Sequence, residues 1–206
     1  MSCGSITQGF TLDCDNPMQG GLEPQVILMN LSDIQSYTVV DNKITDIILH
    51  PGKSAYLFEG IRQSVNARYE QTDVGLTTGY AHEVSFQIFD ISSDQKEELF
   101  KMAIGKLVAI VFNMHVPGNE DGYFEVFGIG AGMGAIELSR ANRDLDTQGS
   151  WSIVLNTGDL TREAKMPYNF FDTDYNTSLD KILALLNITP VVGGLPSILS
   201  FKIPNT

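Results

Sequence analysis

Strict alternation of apolar and polar side chains marks residues 64–71 and 80–90 as the clearest β-strands in the chain. Val65, Ala67 and Tyr69 alternate with Asn66, Arg68 and Glu70, and His82, Val84, Phe86 and Ile88 alternate with Glu83, Ser85 and Gln87. A period of two covers one face of a strand and leaves the other to solvent or a polar lumen. The connection 72–79 is mostly polar and contains glycine, which predicts a long antiparallel hairpin. Continuous apolar runs at 26–29 and 107–112 predict strands covered on both faces. Further strands are expected at 43–49 and 54–58, separated by the turn His50-Pro51-Gly52, then at 123–128 and 131–138. Trp151, Ile153 and Leu155 alternate with Ser152, Val154 and Asn156 in another.

The period changes to helical in two places. Ser92 and Gln95 have the spacing of a capping box, Leu99, Phe100, Met102, Ala103 and Ile104 follow, and Gly105 stops the run, so a helix is predicted over 93–104. Glu97 and Lys101 are one turn apart on its outer face. Leu179, Ile182, Leu183 and Leu186 fall at i, i+3, i+4 and i+7 behind a start signal at Thr177 and Asp180, which predicts a second helix. Residues 1–24, rich in glycine and proline, read as an extended arm, and beyond Pro190 Leu199, Phe201 and Ile203 point to one side of a last strand. The organisation expected is an arm at 1–24, a β domain at 25–174, and a C-terminal helix and tail at 175–206.

Composition narrows the functional classes. The 206 residues suit one large domain, and 43% hydrophobic against 18% charged residues excludes a disordered chain and suggests buried subunit contacts. A net charge of −12 disfavours an electrostatic grip on nucleic acid, although an acidic channel would let DNA slide without holding it. No run of about 18 apolar residues is present, and the first residues lack a basic stretch followed by an apolar core, so no membrane span is expected and the protein is expected to be made in the cytoplasm. Cys3 and Cys14 are too few for a disulfide framework or a four-cysteine metal site.

The chemistry-bearing residue types form no enzyme signature. Gly128, Gly130, Gly132 and Gly134 recur at every second position, but a dinucleotide fingerprint needs a glycine at 133, where Met stands, and a following helix. Period-two glycines are expected instead to strip one strand face so that another backbone or subunit can approach. His50, His82 and His115 match no zinc spacing and read as surface or half-buried histidines. Asp144, Asp146, Gln148 and Gly149 echo half of an EF-hand loop, but Leu155 stands where the closing Glu is needed. The expectation is a non-enzymatic protein with no cofactor and no catalytic or metal site. Its candidate subunit interface comprises Tyr69, Tyr80, Gly128, Gly130 and Gly132.

The hairpin over 64–90, the capped helix feeding the strand 107–112, and the segment 128–156 together resemble the tail-tube proteins of tailed bacteriophages. The stretch from Cys3 to Asp15 is also similar to structural proteins of crAss-like phages of gut bacteria. The resemblance implies a mainly β fold with some α: an antiparallel β-sandwich or barrel of tail-tube type with one flanking helix and a C-terminal helix. It further implies a homo-oligomeric ring in the tail or neck of a virion, stacked on neighbouring tail or portal proteins and passing genomic DNA without binding it specifically. The arm and the C-terminal extension exceed a minimal tube domain and suit a ring adaptor. The reading set against it is a β-sandwich module binding a ligand such as carbohydrate through Tyr69, Tyr80 and Tyr123.

Overall fold

The computed structural model describes residues 20–61, 63–74, 77–89, 92–114, 120–142, 149–158 and 161–186. Among these residues eleven strands and two α-helices follow one another as β1 (Leu22–Asn30), β2 (Ile34–Val40), β3 (Lys43–Leu49), β4 (Tyr56–Glu59), β5 (Asn66–Val74), β6 (Thr77–Ile88), α1 (Ser93–Ile104), β7 (Leu107–Asn113), β8 (Phe124–Phe127), β9 (Gly134–Arg140), β10 (Trp151–Asn156), β11 (Tyr168–Phe170) and α2 (Tyr175–Leu185). They build a seven-stranded sheet in the order β2-β3-β11-β8-β7-β1-β4 and a four-stranded sheet in the order β5-β6-β10-β9.

The continuous apolar runs identify the middle layer. Ile27 and Met29 of β1 and Val108, Ile110 and Phe112 of β7 face one side, where they pack with Leu179, Ile182, Leu183 and Leu185 of α2. Val26 and Leu28, with Leu107, Ala109 and Val111, face the other, against Val84, Phe86, Ile153 and Leu155 of the four-stranded sheet and Leu99 and Met102 of α1. A strand buried on both faces has no use for polar alternation, whereas β6, covered on one face, keeps Glu83, Ser85 and Gln87 partly exposed. Phe86, Phe112, Phe124, Phe127 and Phe170 are among the fully buried side chains. Each contributes about 1.5–3 kcal/mol by leaving water.

Several expectations need correction. The sheets do not close into a barrel: β2, β4, β5 and β9 are all sheet edges. The hairpin strands pair as far as Val74 with Thr77, so residues 72–74 and 77–79 are strand and not connection. Residues 22–24, expected to belong to the arm, are part of β1, which begins at Leu22, and residues 1–19 lie outside the described residues. The second helix starts at Tyr175 under Asp174, whose carboxylate accepts from Thr177 N at 2.8 Å, two residues before the predicted start signal. Because α2 shares a core with β1, β3 and β7, it belongs to the body of the domain. The sequence reading missed β2 and the short β11, which pairs in parallel with β3. The expected strand around Leu199, Phe201 and Ile203, His115 and residues 144–148 lie outside the described residues.

Helix α1 follows its sequence signals closely. Ser92 Oγ accepts from Gln95 N, Gly105 ends the helix, and Lys101 meets Glu97 at 3.3 Å and Glu98 at 2.7 Å. Its apolar residues divide, however: Leu99 and Met102 are buried while Phe100 and Ile104 point into solvent.

Candidate functional site

The glycine-rich segment is a turn. Strand β8 stops at Phe127, Gly128 and Gly132 take positive φ of 76° and 74°, Gly132 N donates to Gly128 O, and β9 begins only at Gly134. The expected period-two strand over this segment is therefore corrected, because left-handed backbone at residues 128 and 132 cannot continue a β-strand. The close approach predicted there does occur, but within the chain. A Cβ on Gly128 would lie 2.9 Å from Met133 Cγ, and one on Gly132 would lie 2.9 Å from Lys106 Cβ and 3.0 Å from Leu31 Cδ2.

The turn holds an anion, and the anion is the protein's own. Glu163, buried among the described residues, accepts from Ala131 N at 2.8 Å and from Gly130 N at 3.1 Å. Successive backbone N–H groups in a glycine turn form a concavity suited to negative charge. Glu163 reaches it because its own backbone pairs with Tyr80, each N–H donating to the other's carbonyl at 2.9 Å.

His82 pins the same turn from below. Its ring is buried, edge-on to Phe127 at 5.5 Å. Nδ1 accepts from Gly128 N at 3.1 Å and Nε2 lies 3.0 Å from Lys165 O, which fixes the tautomer with the proton on Nε2. Burial pushes its pKa down to about 4. The expectation of a surface or half-buried histidine is thus corrected: His82 is a neutral core residue joining β6, the glycine turn and the segment after Glu163. With both ring nitrogens engaged, it offers neither a free base nor a free ligand atom.

Among the described residues no group of three His, Cys, Asp or Glu is placed to hold a metal ion, and no helix is long and apolar enough to cross a membrane. The candidate interface residues separate. Gly128 and Gly132 are buried against their own chain, Gly130 is exposed beside Glu163, Tyr69 is exposed on β5, and Tyr80 is half-buried on β6. Tyr123, the third aromatic of the ligand-binding reading, packs edge-on to Tyr175 at 5.1 Å in the opposite core and shares no platform with Tyr69 and Tyr80.

The sheet edges carry a feature the sequence reading passed over. Each of the four edge strands exposes a large apolar side chain: Tyr37, Val39 and Val40 on β2, Tyr56 on β4, Tyr69 on β5 and Ile136 on β9. All but the first residue of β2 are exposed, and Ile48 on its partner β3, which pairs with Ser36, is half exposed as well. The outer face of the four-stranded sheet is polar by contrast. Arg68 there grips Glu83 through two hydrogen bonds of 2.6 and 3.0 Å, Asn156 donates to the same carboxylate, and Glu70 and Glu137 are exposed. Arg68 and Asn156 hold the Glu83 pKa below its usual value.

No family model, curated protein or solved structure matches this chain.

Proposed function

We propose that the protein is a virion structural protein that self-assembles into a ring forming part of the channel of a phage tail or neck. The observation that carries this reading is the set of four sheet edges, β2, β4, β5 and β9, that have no further strand among the described residues and each carry an exposed large apolar side chain. A solitary β-protein blunts its edges with charge, proline or a covering element, because unpaired N–H and C=O rows recruit other strands. Copies arranged about a rotation axis satisfy such edges by closure. The polar outer face of the four-stranded sheet, with Glu70, Glu83 and Glu137 against Arg68, is the surface of this chain suited to line a channel for DNA. Its carboxylates repel phosphate and let the genome pass. Neighbouring tail or portal proteins would then meet the ring's two ends.

The test is the mass of the purified protein by light scattering over a concentration series, with negative-stain images of the same sample. Rings, formed alone or on adding the adjacent virion protein, support the reading. A single-chain mass under both conditions overturns it and leaves the ligand-binding module.

A further inference from the structure

The β2–β3 hairpin is joined to the rest of the seven-stranded sheet through β11, which at three residues is the shortest strand among the described residues. Asn169 pairs with Lys43 and Phe170 with Ile44 on the side of β3, while Tyr168 pairs with Val126 and Asn169 with Glu125 on the side of β8. Asn169 is the one residue of β11 with a partner on both neighbours, so it stands at the centre of a short seam.

Register sets an amine, a carboxamide and a carboxyl in one row across that seam. Ile44, Phe170 and Val126 all belong to the core shared with α2, so their chain neighbours Lys43, Asn169 and Glu125 stand on the opposite face of the sheet. Val111, the partner of Glu125 on β7, lies in the other core and confirms the face. Neighbouring strands are about 4.8 Å apart, a gap that the flexible stem of a lysine spans. The half-buried Lys43 ammonium lies 2.7 Å from Asp121 Oδ2 and 5.2 Å from the ring centroid of Phe171, two residues along from Asn169. It therefore has a carboxylate beside it that can take its proton. Glu125 is half-buried, and burial raises its pKa against a hydrogen bond from Asn113, which favours the protonated acid.

We infer that Lys43 and Asn169 join in an intramolecular isopeptide bond that fastens β3 to β11, with Glu125 as the proton donor. The Lys43 amine, once its extra proton has passed to Asp121, attacks the Asn169 carboxamide carbon. The Nζ–Cγ bond forms and the Cγ–Nδ2 bond breaks. Nδ2 leaves as ammonia with the proton of Glu125, and the proton shed by Nζ restores the Glu125 acid. No oxidant or cofactor enters, because one amide replaces another. Fixed neighbours on adjacent strands supply the proximity that such a slow displacement needs. The bond closes the seam that holds the β2–β3 hairpin to the body of the domain. All its groups lie in one chain, so it stands independently of the assembly reading.

Mass spectrometry of the purified full-length chain tests it, first on the intact denatured protein and then on its tryptic peptides. The expected mass is about 17 Da below that of the sequence, one ammonia, with a branched peptide joining the segment that holds Lys43 to the segment that holds Asn169. Lys43→Arg and Asn169→Ala should each restore the full mass and lose the branched peptide. Glu125→Gln, similar in shape but without the acid proton, should slow the appearance of the bond by a hundredfold or more after synthesis. A Glu125→Gln chain that links as fast as the native one overturns the role given to Glu125. A deficit of about 18 Da with the branch at Asp121 marks loss of water between the two ion-pair partners and overturns the assignment to Asn169. A deficit of about 17 Da without a branched peptide reports an asparagine closed on its own backbone and overturns the bond, as does a native chain that keeps its full mass after long incubation at neutral pH. The native chain alone decides whether the bond exists, however well the variants fold.

Discussion

At the scale of single residues, His82 is where acid should act first. Its unfolded form titrates near 6.5 and its folded form near 4, because the buried ring must stay neutral to accept from Gly128 N. Between those values the unfolded chain binds a proton that the native chain does not, so stability rises with pH across the window and is lost as pH falls through it. Two and a half pH units correspond to a loss of at most about 3 kcal/mol. Carboxylates held low by their partners act in a lower range, Glu83 below 4.5 and Asp33 below 3.8, so the two effects separate. Glu125, raised by burial, works in the opposite direction around its own pKa. Urea midpoints between pH 7 and pH 4.5 should therefore fall steeply in the native protein. In His82→Gln stability should start lower by about 1–3 kcal/mol, the cost of disturbing buried hydrogen bonds, and then stay level or rise as pH falls over that range, because the decline set by His82 is gone and Glu125 acts in the opposite direction. A parallel decline in both proteins would assign the acid sensitivity to other groups.

At the scale of elements, the glycine turn separates two readings of the same letters. If glycines at 128, 130, 132 and 134 stripped one strand face, all four would respond alike to a methyl group. The turn instead predicts that Gly132→Ala, strained at φ 74° and pressed on Lys106 and Leu31, loses about 1–3 kcal/mol. Gly134→Ala, with no atom within 4 Å of the new Cβ, is expected to be neutral or stabilising by up to about 1 kcal/mol. Thermal melts of the two variants decide it. Glu163→Ala should lower the melting temperature more than Glu163→Gln, which retains an acceptor oxygen for the turn.

The same contrast shows what the sequence made legible. Periodicity located β6, β7 and β10 because each buries its apolar face in the way its pattern implies, capping signals located α1 although only Leu99 and Met102 of its apolar residues are buried, and the double-sided burial of β1 and β7 could be read from unbroken apolar runs. It failed on the glycine run because period two is shared by a stripped strand and by this turn, and only the long-range contacts to Glu163 and His82 distinguish them. It also failed on β2, an edge strand whose residues are nearly all exposed and therefore carry no burial pattern. Its signal was local: Asp41 and Asn42, both at positive φ, form the two-residue hairpin turn into β3. The buried role of His82 was invisible, since alternation places it on the covered face without revealing which backbone groups it meets.

At the scale of the whole molecule, the balance between core and edge governs what the chain can do. Its middle layer is covered on both faces, so the exposed apolar side chains of the described residues lie mainly at the sheet margins and on α1, where Phe100 and Ile104 are the most exposed. Among those margins β2 has nearly all its residues exposed, standing at the opposite end of the seven-stranded sheet from β4 and carrying Tyr37, Val39 and Val40. An assembly that uses this edge must desolvate Val40, and a lysine there would carry its charge into the contact while costing the isolated fold little, because the position is already half exposed. Val40→Lys is therefore expected to reduce the assembled mass in light scattering to that of smaller species while shifting stability by no more than about 0.5 kcal/mol. The matching substitution Ile136→Lys on β9 probes the margin of the other sheet in the same way. If Val40→Lys assembles as well as the native chain and Ile136→Lys does not, the contact runs through the four-stranded sheet; if neither changes the mass, these two edges are not the surfaces by which copies meet.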